Sequence, residues 1–283
     1  MVVVSIKSEK ELLMIETDYF EEVMRIRLSQ TMNGQPLYWA AAYLVDGLLI
    51  DTGPRHTAED LVEFLEGQHV KLAVNTHYHE DHIGANRLIQ QRLGLEIYAH
   101  PESILYIERI PELPPYREFI WGVPEPSNVL PVPRRIRTNR FVFDVVETPG
   151  HSEGHVALVE REMGWCFSGD LFVSEKPKVT HLGSSIRNTV RSMQRLVEID
   201  TDKLILFTSP GRIIRDGRRA LETCVQYLRE LSQRARILWE EGLTVTAIRD
   251  TLLGGESPLA QMTGGELSSE NLIRVILRDW GAL

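Results

Sequence analysis

The sequence predicts a mixed α/β body that extends to about residue 216, followed by a tail that contains helices alone. Over the first 216 residues, short apolar runs of strand length alternate with segments of helical periodicity. The strand patterns stop after Leu204–Phe207. The chain has 283 residues, 43% of them hydrophobic, which suits one large core with a small appendage. The predicted division is therefore residues 1–216 for the body and 217–283 for the helical extension.

The first strands are indicated by alternation and by turn residues. Val23–Leu28 alternates apolar and charged side chains, as a half-buried strand does. Tyr38–Val45 and Leu48–Ile50 flank Asp46-Gly47, a strong signal for a two-residue hairpin turn. Lys71–Val74 is short and apolar enough to be a buried strand.

Three helices are predicted in the same half of the chain. Thr57 is expected to cap a helix that runs to about Glu66. Gly84–Leu93 has helical spacing and ends before a glycine. Pro101 opens another helix directly after a strand at Ile97–Ala99, since proline is favoured in the first turn.

A proline-rich segment interrupts this alternation. Half of the 14 prolines fall between Pro111 and Pro133. That density predicts a long loop without a regular element. Such a loop can cover a site or serve as a linker, and the sequence leaves both open.

The second half repeats the alternation and then becomes helical. Strands are predicted at Phe141–Val146, Val156–Val159, Trp165–Phe167 and Leu204–Phe207. Helices are predicted at Ser185–Ile199, Gly217–Glu241, Thr244–Leu253 and Ser269–Trp280. Ser269 is expected to cap the last of them.

Composition excludes several classes of function. The net charge of −9 argues against binding to nucleic acid or to an anionic membrane, because both need a basic surface. Two cysteines, Cys166 and Cys224, are too few for a disulfide framework. The amino-terminal valines are followed at once by charges, unlike a signal peptide, and no apolar run approaches about 18 residues. We therefore expect a cytoplasmic protein without a membrane segment.

The stretch "HYHEDH" carries the strongest chemical signal. His77 and His79 are two apart at the end of a strand, so their side chains project to the same side. Asp81 and His82 follow where the chain turns into a helix, and Gly84 allows that helix to pack closely. Imidazole and carboxylate ligands suit zinc, iron or manganese. A polar surface loop is the other interpretation, but such loops rarely collect these residues after an apolar strand.

"HYHEDH" resembles the His-x-His-x-Asp-His signature of the metallo-β-lactamase superfamily. Three further stretches resemble that family's other motifs, in the family's order: "LLIDTGP" (Leu48–Pro54), "ETPGHSEGHVAL" (Glu147–Leu158) and "CFSGDLF" (Cys166–Phe172). The resemblance implies an αβ/βα four-layer sandwich, in which two sheets pack face to face with helices outside. It also implies a metal cleft at one sheet edge and a helical extension at the carboxyl end.

The resemblance further implies a set of metal ligands. The first metal would be held by His77, His79 and His151, the second by Asp81 and His82, and both would be bridged by Asp170. The expected cofactor is zinc, as one or two ions, with iron or manganese as alternatives. Asp51, in the Asp-Thr-Gly stretch, is expected to accept hydrogen bonds near the ligands rather than to bind metal.

The sequence departs from the family pattern at one ligand. Relatives usually complete the second site with a histidine after the last strand, where this chain has Arg212. A guanidinium cannot ligate, because it stays protonated and has no free lone pair. Three alternatives follow from this difference. The second metal can bind weakly, with a water molecule in the position of the missing histidine. One metal can suffice while Arg212 supplies positive charge, or His181 can replace the missing histidine as a ligand. The expected catalytic residues are Asp81, as the group that orients or deprotonates water, Asp170 and Arg212.

Three functions are carried forward. The first is a metal-dependent hydrolase that uses a metal-activated hydroxide on a small ester, thioester, lactone or phosphoester, with glyoxalase-II-like thioester cleavage as one case. The second is a dioxygenase of the persulfide dioxygenase type, in which His79, His151 and Asp170 would hold a single iron ion. The third is a non-catalytic metal-binding module, suggested by Arg212 alone.

The partner predictions are less specific. Arginines cluster around residues 134–140, 187–195 and 212–219, either as a solvated face or as a rim that attracts an anionic small-molecule substrate. The apolar positions of the tail are consistent with packing on the sandwich, covering the cleft or forming a homodimer. His155, His100 and both cysteines are expected to be structural.

Overall fold

A computed structural model of the chain describes residues 4–7 and 13–283. Two β-sheets pack face to face, and helices cover the outer face of each. The predicted αβ/βα four-layer sandwich with a carboxyl-terminal helical extension is therefore confirmed. The prediction about a signal peptide concerns the amino-terminal segment. Residues 1–3 and 8–12 of that segment lie outside the described residues.

The first sheet carries the strands that lead to the histidine motif. Within the described residues its strands are β1 (Val4–Lys7), β2 (Leu13–Phe20), β3 (Val23–Met32), β4 (Gln35–Pro36), β5 (Ala40–Val45), β6 (Leu48–Ile50), β7 (Leu72–Val74), β8 (Glu96–Ala99) and β9 (Leu130–Pro131). Their order is β1-β2-β3-β5-β6-β7-β8-β9, and β4 pairs with β3. Strands β6 to β9 are parallel, so β6 and β7 end at the same edge of the sheet.

The second sheet supplies the other half of the sandwich. Its strands are β10 (Arg135–Arg137), β11 (Val142–Glu147), β12 (Val156–Glu160), β13 (Trp165–Gly169), β14 (Ile205–Thr208) and β15 (Ile213–Ile214), in that order. Only β13 and β14 pair in parallel among these described strands. Strand β15 was not predicted, because two residues are too short to show a period.

Most of the helices lie where the helical periodicity of the sequence predicts them. In the described chain they are α1 (Ala58–Glu66), α2 (Glu80–Ile83), α3 (Asn86–Leu93), α4 (Pro101–Glu108), α5 (Pro115–Trp121), α6 (Ile186–Val197), α7 (Gly217–Glu240), α8 (Val245–Leu253), α9 (Pro258–Met262) and α10 (Ser269–Asp279). A 3-10 turn at Arg55–Thr57 precedes α1. None of the helices in the described residues combines the length and apolar character needed to span a bilayer.

Three apolar clusters hold the layers together. Aromatic and branched side chains of both sheets, such as Tyr43, Phe143 and Phe207, fill the space between the sheets. A second cluster lies between the first sheet and helices α1 and α3. The third joins the second sheet to α6, α7, α8 and α10, and includes Leu221 and Leu272. The extension thus packs on the sandwich, while the division at residue 216 stays a prediction.

The prediction of an irregular loop between Pro111 and Pro133 was wrong. Helix α5 begins at Pro115 within it, and β9 lies near its end. Proline is tolerated in the first helical turn, where its missing N–H would have no partner anyway. No proline follows until Pro124, so the helix can form.

One capping prediction was confirmed in position and one was wrong. Thr57 is the N-cap residue of α1, but its hydroxyl donates to the carbonyl of Pro54 instead of accepting from the first turn. Ser268, not Ser269, caps α10 by accepting from the Asn271 amide at 2.9 Å. With two adjacent serines, the sequence alone does not decide which of them has the extended backbone of a cap.

Candidate metal centre

The site lies where strand ends of both sheets meet. Strands β6 and β7 deliver Asp51 and the histidine motif to one edge of the first sheet. Strand β13 ends at Gly169, so Asp170 is the first residue beyond it. His151 comes from the turn that joins β11 to β12. Four segments that are far apart in sequence therefore share one cleft.

One group of side chains consists of three histidines and a carboxylate. The ligand atoms of His77, His79, His151 and Asp170 all lie within 4.8 Å of one another. His79 Nδ1 is 3.0 Å from His77 Nε2 and 2.9 Å from His151 Nε2. Asp170 Oδ2 is 3.3 Å from His151 Nε2. Bonds of about 2.0–2.1 Å to a tetrahedral zinc ion set its ligand atoms roughly 3.3 Å apart, so the spacing fits one ion.

A second group shares the same carboxylate. His82 Nε2 lies 3.6 Å from Asp81 Oδ2 and 3.7 Å from Asp170 Oδ1. Asp170 therefore directs one oxygen to each group. His82 Nε2 is buried and has no hydrogen-bond partner among the residues that the structure describes. A buried ring nitrogen without a partner between two carboxylates is the arrangement a cation would satisfy.

Asp51 fixes the orientation of His82, as the sequence predicts. Its Oδ2 lies 2.8 Å from His82 Nδ1, and its Oδ1 accepts from the Thr76 amide at 2.7 Å. Because Asp51 accepts the proton on Nδ1, the other ring nitrogen of His82 is left to face the cleft. Asp51 also has a positive φ of 61°, a backbone conformation uncommon for a non-glycine residue.

The charges in the cleft favour a bound cation. Burial and the neighbouring imidazoles lower the pKa of His77 and His79. Burial opposes a charge on His82, but Asp51 and Asp81 raise its pKa well above the usual value. Burial likewise opposes a charge on Asp170, but His151 and His82 hold its pKa well below the usual range. The cleft thus offers neutral imidazoles at His77 and His79 and an ionised carboxylate at Asp170, the states that ligate metals, whereas His82 would release a proton when a metal binds.

Two glycines permit the close packing around the site. A Cβ on Gly84 would lie 2.2 Å from the Arg55 amide nitrogen, and one on Gly169 would lie 2.7 Å from His155 Nε2. Gly84 donates its amide to the Gly53 carbonyl at 2.8 Å. The sequence expectation that Gly84 allows close packing is confirmed, whereas the role of Gly169 was missed.

His155 is structural and also contacts the Asp170 backbone. Its Nε2 accepts from the Asp170 amide at 3.2 Å, and its Nδ1 lies 2.8 Å from the Thr148 hydroxyl. Because Nε2 accepts, the ring is neutral with its proton on Nδ1. Burial and His151 lower the pKa of His155 to about 3.

We expect metal-free protein to lose stability in mild acid because of His155. A histidine pKa depressed from about 6.5 in the unfolded chain contributes stability above pH 6.5, and that stability is lost as the pH falls toward 3. Between pH 7 and pH 5 the wild type should lose about 2 kcal/mol more than His155→Gln in urea unfolding. His69→Gln, at an exposed site, should keep the wild-type pH dependence. Equal losses in wild type and His155→Gln would contradict this role.

Arg212 follows the end of β14 and has an exposed side chain. Its guanidinium donates to the Val173 carbonyl. Strands β13 and β14 pair in parallel, with Gly169 opposite Thr208, so Ser209 follows one strand end as Asp170 follows the other. The Ser209 hydroxyl is buried, and hydrogen bonding to it is among the causes that lower the pKa of Asp170.

His181 lies beside the first group of ligands. Its ring centroid is 5.1 Å from that of His151 and 5.7 Å from that of His79. It belongs to neither ligand group among the described residues. Whether it takes the place of the missing histidine stays a prediction.

Other residues weighed from the sequence have structural positions. His100 caps α4 by accepting from the Glu102 amide at 3.2 Å. Burial raises the pKa of Cys166 and of Cys224 to about 12, and both thiols are free. The expectation that these residues are structural is confirmed.

Sequence reasoning missed two residues of the cleft. Burial, then the charges of Asp170 and Asp81, raise the pKa of Tyr38, and the charge of Arg212 lowers it. Arg117 of α5 donates to Glu80 Oε2 at 3.1 Å, within the histidine motif. No local signal marks either residue, because each comes near the cleft through tertiary packing.

Several arginines are engaged by the chain itself. Arg140 pairs with Glu22, and Arg135 pairs with Asp144 at 2.7 Å. Arg218 donates to carbonyls after α6, including that of Thr201 at 3.0 Å. The rim that attracts an anionic substrate stays a prediction.

Comparisons with known proteins agree with this geometry. The family model of the metallo-beta-lactamase superfamily matches residues 40–208, more than half of the chain. The chain is 30% identical over 132 residues to the hydroxyacylglutathione hydrolase GloC of Haemophilus influenzae. That match covers 44% of this chain and 59% of GloC.

Solved structures show the same fold. The metallo-beta-lactamase family protein TTHA1429 from Thermus thermophilus superposes with a TM-score of 0.65, at 20% identity, over 93% of this chain and 95% of its own. TTHA1623, solved in a di-iron-bound form, superposes with a TM-score of 0.54 at 26% identity. That likeness covers 66% of this chain and 92% of TTHA1623.

Proposed function

The chain belongs to the metallo-beta-lactamase superfamily, and we propose that it is a metallo-hydrolase that cleaves a thioester or ester of a small molecule. The observation that carries the proposal is the convergence of two ligand groups on the single carboxylate of Asp170. The hydroxyacylglutathione hydrolase GloC, which shares 30% identity over 132 residues, supports a thioester as the first substrate class to test.

We assign the metal ligands from the two groups. His77, His79, His151 and Asp170 would hold one ion, and Asp81, His82 and Asp170 the other. A bound zinc, iron or manganese ion would supply Lewis acidity and would lower the pKa of a coordinated water molecule. The first group offers four protein ligands and the second offers three, so we expect the first group to bind its metal ion more tightly. This explains how a chain with Arg212 in place of a histidine can still hold one ion firmly.

The remaining chemistry falls to residues at the edge of the cleft. When only the first ion is bound, the Asp81 carboxylate is free of metal, and burial raises its pKa to about 6, which brings it close to the range of a base at neutral pH. The raised pKa of Tyr38 keeps its hydroxyl protonated, so it can donate to a substrate oxygen. Arg212 would offset negative charge that develops on the substrate.

A cavity beside the site can take the rest of the substrate. It has a volume of about 580 Å³ and is lined by residues of α5, α9, the loop after α9 and the segment before α6, with Tyr116, Leu182 and Met262 among them. Leu182 follows His181 and Tyr116 precedes Arg117 in the sequence, so the cavity is lined by neighbours of two residues at the cleft. The volume lies in the range of small-molecule sites, and the side chains named favour an apolar portion of the substrate.

The test is metal analysis combined with a substrate panel. Protein purified without added metal should retain about one equivalent after gel filtration against a weak chelator. It should hydrolyse a hydroxyacylglutathione or another small thioester faster than an amide of the same acyl group. An exposed-site variant, Asp202→Ala, should behave as the wild type.

The other functions appear as distinct results of the same test. One equivalent of iron with oxygen consumption and no hydrolysis would replace the proposal with the dioxygenase. Bound metal without turnover of any thioester, ester, lactone or phosphoester would favour the non-catalytic module.

A further inference from the structure

The turn that carries His151 is held from outside by one continuous segment. We call residues 180–192 the clamp segment. Its Ser185 amide donates to the Gly150 carbonyl at 2.7 Å, and its Ser192 hydroxyl donates to the Pro149 carbonyl at 2.7 Å. The His181 ring packs edge-on against the His151 ring, at 82° between planes. Three contacts therefore surround one proposed ligand.

Gly150 brings the clamp segment very close to this turn. A Cβ on Gly150 would lie 2.4 Å from the Thr189 amide nitrogen, and its φ is +147°. Backbone packed at this distance leaves the turn little freedom to shift independently of α6. The position of His151 thus follows that of the clamp segment.

The carboxyl-terminal extension in turn fixes the clamp segment. Thr180 and Ser268 exchange backbone hydrogen bonds of 3.3 Å in both directions. Arg278 donates to the Leu182 carbonyl at 2.6 Å and also to the Ser184 carbonyl. These bonds tie residues before α6 to α10 and the residue that caps it.

Asp279 completes the connection. Its Oδ2 accepts from the Ser185 hydroxyl at 3.1 Å and from the Arg187 amide at 2.8 Å. A carboxylate at the start of α6 is favoured by the free amides of the first turn. Because Ser185 also donates its amide to Gly150, a single residue links the end of α10 to the His151 turn.

We propose that the carboxyl-terminal extension positions the metal ligand His151, and that Arg278 and Asp279 are its positioning residues. The proposal rests on the proposed function only in taking His151 as a ligand. Partners that orient a ligand typically change metal affinity by about 10- to 100-fold when they are removed. The extension is then required for the metal centre, beyond its contribution to the apolar core.

The first test measures the Kd for zinc of the full chain by competition with a chromophoric chelator. Arg278→Ala should raise the Kd of the tightly held ion about 10- to 100-fold. Ser192→Ala, which removes a direct bond to the His151 turn, should also raise it. Arg278→Lys retains a charged donor and should lie between Arg278→Ala and the wild type.

The matched control lies on the same helix. Arg274 of α10 pairs with Glu270 four residues earlier, at 2.7 Å, and is exposed. Arg274→Ala removes the same side chain without touching the clamp segment, so its Kd should equal that of the wild type. Equal Kd values for Arg274→Ala and Arg278→Ala would overturn the proposal.

A second measurement needs neither metal nor activity. In metal-free protein, hydrogen exchange of the Ser185 amide should be faster in Arg278→Ala than in Arg274→Ala, because its bond to Gly150 opens more often. If Arg278→Ala does not fold, Asp279→Asn and Arg278→Lys serve for both measurements. If hydrogen exchange of the Ser185 amide is unchanged in these variants, the proposed role of the clamp segment is contradicted.

His151→Ala separates this proposal from the proposed function. It should weaken zinc binding more than any clamp variant does. If His151→Ala weakens binding and the clamp variants do not, the clamp alone is overturned. If His151→Ala binds zinc as the wild type does, the ligand assignment fails, and the clamp proposal fails with it.

Discussion

Replacing Asp170 with alanine should reduce kcat/KM for the best thioester substrate by roughly 10³-fold or more, the scale expected when a group that stabilises transition-state charge is lost. Asp170 directs one oxygen to each ligand group, at 3.3 Å from His151 Nε2 and 3.7 Å from His82 Nε2. Its loss therefore removes a ligand from both groups at once. No other carboxylate in the described residues belongs to both groups.

The same variant should lose metal. We expect the retained ion to fall well below one equivalent in Asp170→Ala, measured by elemental analysis after gel filtration. Asp170→Asn keeps the shape of the side chain but removes its charge, so it should show that the carboxylate is required. The control Asp202→Ala changes an exposed aspartate and should keep full activity and metal. Full metal content and activity in Asp170→Ala would refute the shared-carboxylate site.

The candidate ligands could be selected from the sequence because each lies in a short stretch with its own pattern. His77 and His79 follow an apolar strand with the spacing that directs both rings to one side. The sequence alone cannot show that His151 and Asp170 come within ligand distance of them. That proximity depends on how two sheets pack, and the resemblance to a family, rather than periodicity, implied it.

The sequence failed where a residue reaches the cleft through tertiary structure. Arg117 lies in a segment whose prolines suggested a loop, yet it pairs with Glu80 of the histidine motif and, at 2.8 Å, with Glu266 of the extension. Tyr38 is an aromatic residue shortly before β5, and nothing in the neighbouring sequence indicates a carboxylate near it. Local patterns report secondary structure and burial, whereas such contacts join residues far apart in the chain.

Replacing Arg212 with histidine should raise the retained metal from about one equivalent toward two. Among the described residues the second group has three protein ligands, Asp81, His82 and Asp170, and the resemblance to the family implies a histidine where this chain has Arg212. The arginine side chain is exposed and donates to the backbone carbonyl of Val173, so its removal should not disturb the core. An additional imidazole should tighten the weaker ion by about tenfold or more, or at least 1.4 kcal/mol.

Two control variants distinguish ligation from loss of a positive charge. Arg212→Gln removes the cation without adding a ligand, so its metal content should stay near one equivalent, and any fall in its kcat would measure the charge that Arg212 supplies. Arg215→His adds an imidazole three residues further on, at an exposed position, and should also leave metal content unchanged. If Arg212→His retains the same metal as Arg212→Gln, the position is too far from the second group to ligate. The wild-type Arg212 would then act only through its charge or through Val173.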